Sequence, residues 1–221
     1  MNKENIKAII FDMDGVIFDS EKLVIDCWKV ISEKYKIQNI EAALRKCIGT
    51  TREVTRQIIK EEYGQDFPYD EYKNEVSLLF KKTAEEGNLM LKPGIVEILT
   101  YFKNNNYKIA IASSTRKEIV EKELKQANLY HYFDKVICGD MVQRSKPEPD
   151  IFLKACEELN VDTKDALVIE DSYNGIRAAY TGKISCVMIP DLLPPNTEME
   201  EKADYIFDNL SLLQKFFENE N

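Results

Sequence analysis

Residues 9–15 read Ile9-Ile10-Phe11-Asp12-Met13-Asp14-Gly15, an apolar run that ends in two carboxylates and a glycine. The run from residue 7 to 11 is short, apolar and followed by turn residues, which is typical of a strand buried on both faces. Side chains two positions apart on an extended segment point to the same side, so Asp12 and Asp14 should face one site. Two carboxylates about 4 Å apart repel by roughly 4 kcal/mol at an effective dielectric near 20, so the pair requires a cation, a shared proton or open solvent. Taken alone, the stretch is also compatible with an exposed acidic turn.

The composition indicates a globular protein. Its 221 residues, 44% of them hydrophobic, suffice for one large domain or for one domain carrying an insertion. A net charge of -9 and a pI near 4.9 argue against nucleic acid and anionic membranes as partners, since both require clustered Lys and Arg. The five cysteines are scattered and odd in number, which favours reduced thiols. Because no signal peptide or membrane span is recognisable, we expect a cytoplasmic protein.

Between the first strand and Pro93, the sequence pattern predicts helices only. Apolar residues recur at three- and four-residue spacing after Ser20, which can cap the helix. Further helical patterns, separated by glycines, cover 41–47, 52–63 and 69–86. The sequence therefore predicts an all-helical block before Pro93.

Beyond Pro93 the pattern changes to short apolar runs that alternate with amphipathic segments. Strands are predicted over 107–112, 136–138, 166–169 and 184–189. Helices are predicted over 94–104, 116–127, 149–159 and 174–181. Such alternation predicts an α/β fold, a parallel sheet with helices on both faces. The first strand can pair only within this sheet, so we expect a core of 1–17 and 91–221 with a helical cap, 18–90, inserted into it.

Open parallel sheets bind their ligands beyond the carboxyl ends of the strands. In this sequence, polar side chains follow the predicted strands at those ends. Asp12 and Asp14 follow the first strand, and Glu170 with Asp171 follows the strand that ends at 169. Carboxylates from two strand ends form an all-oxygen set that suits Mg²⁺. For Glu170 and Asp171, capping of the next helix is the alternative.

Two further residues could hold an anion. Ser113 lies between a strand and a helix, where its hydroxyl and the free N–H groups of the helix favour a phosphoryl oxygen. Lys146 precedes Pro147, which biases it towards an extended conformation. The alternatives are plain N-capping for Ser113 and an ordinary surface position for Lys146.

Four segments occur in order along nearly the whole chain: Asp12-Met-Asp14-Gly-Val, Ile-Ala-Ser113-Ser, Ser-Lys146-Pro-Glu-Pro-Asp and Glu170-Asp171-Ser-x-x-Gly-Ile. Together they resemble the haloacid dehalogenase (HAD) superfamily, in the branch of β-phosphoglucomutase and small sugar-phosphate phosphatases. The resemblance implies a Rossmann-like core with a helical cap inserted after the first strand. It also implies a small phosphorylated metabolite as substrate. The sequence does not determine the oligomeric state, for which we expect a monomer or weak homodimer.

The resemblance also implies roles for individual residues. Asp12 would be the nucleophile that becomes an aspartyl phosphate, and Asp14 the acid and base. Magnesium would bind to Asp12, to the carbonyl of Asp14 and to Asp171, with Glu170 in or beside its shell. Ser113 and Lys146 would complete the catalytic set. The substrate-binding residues implied are Ser20, Gly49, Arg52, Ser113, Ser114, Arg116 and Lys146.

The positions at which this sequence departs from the family pattern distinguish between the activities known in the family. Asp14 argues against haloalkanoate dehalogenases and phosphonoacetaldehyde hydrolases, which lack the second aspartate. Val24 stands where the mutases carry a histidine, although Trp28 and the segment Gly49-Thr-Thr-Arg52 match them. We therefore expect a magnesium-dependent phosphatase of small phosphorylated metabolites, and a β-phosphoglucomutase-like phosphotransferase as the alternative.

A phospho-acceptor receiver module is a third possibility from another class. It is disfavoured because a receiver needs neither a second acid nor an inserted helical block at this point. His131 and the loop over 191–195 are expected to take no part in the chemistry.

Overall fold

The chain divides into two compact units in a computed structural model. One unit comprises Met1–Phe18 and Met90–Asn221, and the other Asp19–Leu89. We call the first unit the core and the second the cap. The residues described are 3–47, 52–87 and 89–219.

The core is built on a parallel sheet of six strands within the described residues, in the order β3-β2-β1-β4-β5-β6. The strands are β1 (Ala8–Phe11), β2 (Lys108–Ser113), β3 (Lys135–Cys138), β4 (Ala166–Glu170), β5 (Ser185–Met188) and β6 (Tyr205–Ile206). Strand β1 pairs with β2 on one side and β4 on the other, and all its residues are buried. The strand order reverses between β1 and β4, so their carboxyl ends flank the crevice in which such sheets bind ligands.

Four helices are described in the cap. They are α1 (Ser20–Tyr35), α2 (Ile40–Arg45), α3 (Arg52–Tyr63) and α4 (Tyr69–Glu85). Their core includes the buried Trp28, whose ring stacks on Tyr69 with a centroid distance of 6.0 Å. The prediction that Ser20 caps α1 is wrong: Asp19 holds the N-cap position, since its carbonyl already accepts from the Leu23 N–H at 3.3 Å.

The helices described in the core cover both faces of the sheet. They are α5 (Ile95–Asn104), α6 (Lys117–Gln126), α7 (Asp150–Leu159), α8 (Tyr173–Thr181), α9 (Thr197–Lys202) and α10 (Leu210–Glu218). On one face Ala8 and Ile10 pack into a cluster with residues of α7, α8 and α9. On the other, the ring of Phe11 lies 6.2 Å from that of Phe102 in α5, which in turn lies 5.0 Å from Phe217 in α10. The predicted α/β architecture is thus confirmed.

The two core segments that flank the insertion pair with each other. Phe18 and Leu91 form an antiparallel bridge, and the N–H of Lys92 donates to the carbonyl of Ile17 at 2.8 Å. The chain therefore leaves the core and returns to it at neighbouring backbone positions.

In the part of the chain that the structure describes, we find no helix whose length and hydropathy would let it span a membrane.

Candidate functional site

The carboxyl ends of β1 and β4 bring three acids together. Carboxylate oxygens of Asp12, Glu170 and Asp171 lie within 4.8 Å of one another. The Asp12 N–H donates to the carbonyl of Ile169 at 2.9 Å, which extends the β1–β4 ladder and aligns the two strand ends. Asp12 and Glu170 are buried, so the alternative of an exposed acidic turn is wrong for Asp12.

Lys146 joins two of these acids. Its Nζ donates to Asp12 Oδ1 at 2.5 Å, to Glu170 Oε1 at 2.7 Å and to the carbonyl of Ala112 at 3.1 Å. The ammonium also lies 4.8 Å from the centroid of the Phe152 ring, and only 7% of the side chain is exposed. Burial lowers the pKa of Lys146, but the carboxylates of Asp12 and Glu170 outweigh burial and raise it, so the lysine is a cation. The alternative of a surface lysine is wrong.

Two glycines make room for the acids. Glu170 Oε2 accepts hydrogen bonds from the Asp171 N–H at 2.9 Å, the Ser172 N–H at 2.8 Å and the Ser172 hydroxyl at 2.9 Å. A Cβ on Gly175 would lie 1.7 Å from Glu170 Oε1, and a Cβ on Gly15, which has φ +77°, would lie 2.2 Å from Asp171 Oδ2. Only glycine leaves the space these carboxylates occupy, and at Gly15 it also permits the positive φ.

The charges in this group are unbalanced. Burial raises the pKa of Asp12 to about 8; Lys146 opposes this shift, and Glu170 and Asp14 add to it. Burial, followed by the charges of Glu170 and Asp12, also raises the pKa of Asp171 well above its ordinary value. Three carboxylates face one lysine, so the fully ionised group carries the excess negative charge that one divalent cation would neutralise. An all-oxygen donor set of this charge fits Mg²⁺.

Asp14 lies in the turn after β1, and Ser113 is the last residue of the neighbouring strand β2. Thr115 Oγ1 donates to Asp14 Oδ2 at 3.4 Å, so the Asp14 side chain meets the loop after β2. Ser113 is fully buried, and its Oγ accepts from the Thr115 N–H at 3.1 Å. Because Arg116 holds the N-cap position of α6, the capping alternative for Ser113 is wrong.

The remaining predicted substrate contacts stay predictions. Ser114 and Arg116 are exposed between β2 and α6, and Ser20 is buried in the first turn of α1, within the cap. Gly49 lies outside the described residues, and so does the side chain of Arg52, although Arg52 begins α3.

Three charged residues near the acids were not predicted as site residues, and one of them, Asp191, lies in the loop that was expected to take no part in the chemistry. In the loop after β5, Asp191 Oδ1 accepts from Lys92 Nζ at 2.6 Å. On α6, Glu123 is 9% exposed, and burial together with the Asp14 carboxylate raises its pKa to about 7. Glu123 lies three residues after the buried Val120, so helical periodicity alone could have placed it on the inward face. The pairing of Lys92 with Asp191 has no comparable sequence signal.

Comparison with known proteins identifies the class. The family model described as haloacid dehalogenase-like hydrolase matches residues 9–189, and the chain belongs to this family. The phosphorylated carbohydrates phosphatase of Thermotoga maritima is 32% identical over 179 residues, which cover 81% of this chain and 82% of the relative. The family recognised from the four segments is confirmed, and so is the expectation of an enzyme.

Solved structures agree over the whole length. β-Phosphoglucomutase from Clostridium difficile is 25% identical with a TM-score of 0.67, and the match covers 96% of this chain and 97% of that one. CbbY from Rhodobacter sphaeroides, solved in complex with phosphate, is 26% identical with a TM-score of 0.69, covering 94% and 96%.

Proposed function

We propose that this protein is a magnesium-dependent phosphatase of small phosphorylated metabolites, principally sugar phosphates, that works through an aspartyl phosphate on Asp12. The observation that carries the proposal is the contact of the Asp12 carboxylate with Lys146 in a group of three acids of which two, Asp12 and Glu170, are buried. The likeness to a phosphatase of phosphorylated carbohydrates supports the substrate class.

The first half of the reaction uses Asp12 and Asp14. A carboxylate oxygen of Asp12 forms a bond to phosphorus while the bond from phosphorus to the substrate oxygen breaks. Asp14 gives its proton to that departing oxygen, which leaves as an alcohol. Lys146, already beside Asp12, offsets the negative charge on the phosphoryl oxygens, and the hydroxyl of Ser113 donates to one of them.

The second half restores the enzyme. Asp14, now ionised, takes a proton from water as the water oxygen attacks the aspartyl phosphate. Inorganic phosphate leaves, and Asp12 is a carboxylate again. The contact of Thr115 with Asp14 would keep this carboxyl directed at the reacting oxygen in both halves.

Magnesium would be held by Asp12, Asp171 and the carbonyl of Asp14, and would supply positive charge opposite the phosphoryl oxygens. Glu170 serves a different purpose in this proposal. Its Oε2 already accepts three hydrogen bonds and its Oε1 accepts one from Lys146, so it positions the lysine and the β4 loop.

The test is phosphate release from a panel of sugar phosphates, phosphoglycolate and nucleotides, with and without Mg²⁺. We expect Mg²⁺-dependent turnover, trapping of a phosphoryl group on Asp12, and no turnover by Asp12→Asn, whose fold should be intact by circular dichroism. Asp162→Asn, an exposed acid of the core, is the matched control and should keep full activity. Appreciable turnover by a folded Asp12→Asn protein would overturn the assignment.

A β-phosphoglucomutase-like phosphotransferase is the second candidate, favoured by the likeness to the C. difficile enzyme. In that case Asp12 would return its phosphoryl group to a different hydroxyl of a bound sugar, by way of a bisphosphate. Product analysis with glucose 1-phosphates separates the two activities, because a mutase forms an isomer and a phosphatase forms free phosphate.

A further inference from the structure

The loop after β5 emerges beside the acid group. Glu170 is in register with Met188, and the N–H of Ile189 donates to the carbonyl of Glu170 at 2.7 Å. Asp191 follows two residues later, at the same edge of the sheet as Asp171. The parallel pairing of β4 and β5 therefore brings a fourth carboxylate to the rim of the proposed cation site.

The Asp191 carboxylate is buried, and only one of its two oxygens has a hydrogen-bond partner among the described residues. Only 8% of its side chain is exposed, and its Oδ1 accepts from Lys92 Nζ at 2.6 Å. Its Oδ2 is buried and has no hydrogen-bond partner among the described residues. A buried polar atom without a partner costs roughly 1–3 kcal/mol, so an acceptor of this kind calls for a donor other than the protein groups that the structure describes.

Asp191 is close to the acid group but is not one of its members. Its oxygens do not belong to the group that lies within 4.8 Å, whose described members are Asp12, Glu170 and Asp171. The charge of Asp191 nevertheless acts on the carboxyl group of Asp171, so the two acids are neighbours. Magnesium keeps several of its water ligands in proteins, and those waters donate to acceptors around the ion.

We propose that Asp191 is a positioning residue of the divalent-cation site, with Oδ2 accepting from a water molecule bound to the ion and Lys92 fixing the carboxylate. The inference rests on the proposed function, in particular on Asp12 and Asp171 as ligands of the cation. It adds to that function a residue from a third strand end, which makes the affinity for the cation depend on the loop after β5.

The experiment is calorimetric titration of Mg²⁺ into the metal-free full-length protein and three variants. We expect Asp171→Asn to lose binding, Asp191→Asn to weaken it by about 10- to 100-fold, and Asp162→Asn to leave it unchanged. Asp162 is a suitable control because 75% of its side chain is exposed. A second variant, Asp191→Ser, removes the same acceptor and is expected to give the same loss if the asparagine protein folds poorly.

The outcomes separate the two proposals. If Asp191→Asn binds Mg²⁺ as tightly as the unmodified protein while Asp171→Asn does not bind, Asp191 only pairs with Lys92, and the proposed function stands. If Asp171→Asn also keeps its affinity, the acid group is not the cation site, and the proposed function fails. Unfolding in EDTA serves as the structural readout, because a merely structural Asp191 would change stability without changing Mg²⁺ affinity.

Discussion

Replacing Glu123 by Gln should remove the part of the loss of stability at rising pH that comes from ionisation of this one buried acid. Glu123 is buried on the inward face of α6, and burial and the Asp14 carboxylate raise its pKa from 4.5 to about 7. The folded state thus binds this proton more tightly than the unfolded state. The stabilising contribution of the protonated acid is complete below pH 4.5 and is lost as the pH rises through about 7.

The size of the effect follows from the pKa. A tenfold change in proton affinity corresponds to about 1.4 kcal/mol, so a pKa raised from 4.5 to about 7 means that ionised Glu123 lowers the free energy of unfolding at pH 8 by about 3 to 4 kcal/mol relative to acidic pH. Gln has nearly the same shape and no charge. We therefore expect the free energy of unfolding of Glu123→Gln to exceed that of the unmodified protein by about 3 to 4 kcal/mol at pH 8, with the two proteins approaching equal stability towards pH 4.5.

The assay is urea unfolding followed by circular dichroism at several pH values between 5 and 8, in EDTA so that no metal contributes. Glu118→Gln is the control, because Glu118 is exposed on the same helix and should show no such trend. If the stabilities of Glu123→Gln and the unmodified protein change with pH in parallel, Glu123 does not titrate in this range and the reasoning is refuted.

Three further changes should show where stability resides. Gly175→Ala should lower the free energy of unfolding, measured in urea, by about 3 kcal/mol, because the added Cβ would overlap Glu170. An unchanged free energy of unfolding would mean that the loop after β4 adapts freely. Lys146→Met should lower the free energy of unfolding by about 3 to 5 kcal/mol, since it leaves buried carboxylates unpaired. Arg144→Met, at an exposed arginine, should lower it by less than about 1 kcal/mol, and equal losses in the two variants would contradict the reasoning. Trp28→Ala should cost about 3 to 5 kcal/mol and speed hydrogen exchange within the cap only; faster exchange throughout the core would contradict two separate units.

The sheet was predictable because its strands are buried on both faces. Runs such as Ala8–Phe11 and Ala166–Glu170 are continuously apolar up to their polar ends, and each is followed by a turn signal. The two-residue strand Tyr205–Ile206 is too short to give such a signal. By contrast, Leu210, Leu213 and Phe217 in α10 show helical spacing, so this helix could have been predicted.

The paired acids of the candidate site were predictable because the members of each pair are close together in the sequence, whereas Lys146, 134 residues from Asp12, was placed with them by the family resemblance. Asp12 and Asp14 share one turn, as do Glu170 and Asp171, and strand pairing brings the two turns together. The pair Lys92 and Asp191 is 99 residues apart and depends on the path of the loop after β5, which no short-range pattern encodes.

The pairing of Phe18 with Leu91 has a consequence for how members of such a family diversify. The core already holds the two ends of the insertion together. The free-energy cost of closing the inserted segment therefore rises only slowly with its length, by about 0.6 kcal/mol for each doubling. Bundles of other sizes and surfaces can therefore be exchanged at this junction with little penalty to the catalytic sheet. For protein engineering, the junction between 18 and 91 is the place to graft a different helical domain onto an unchanged core.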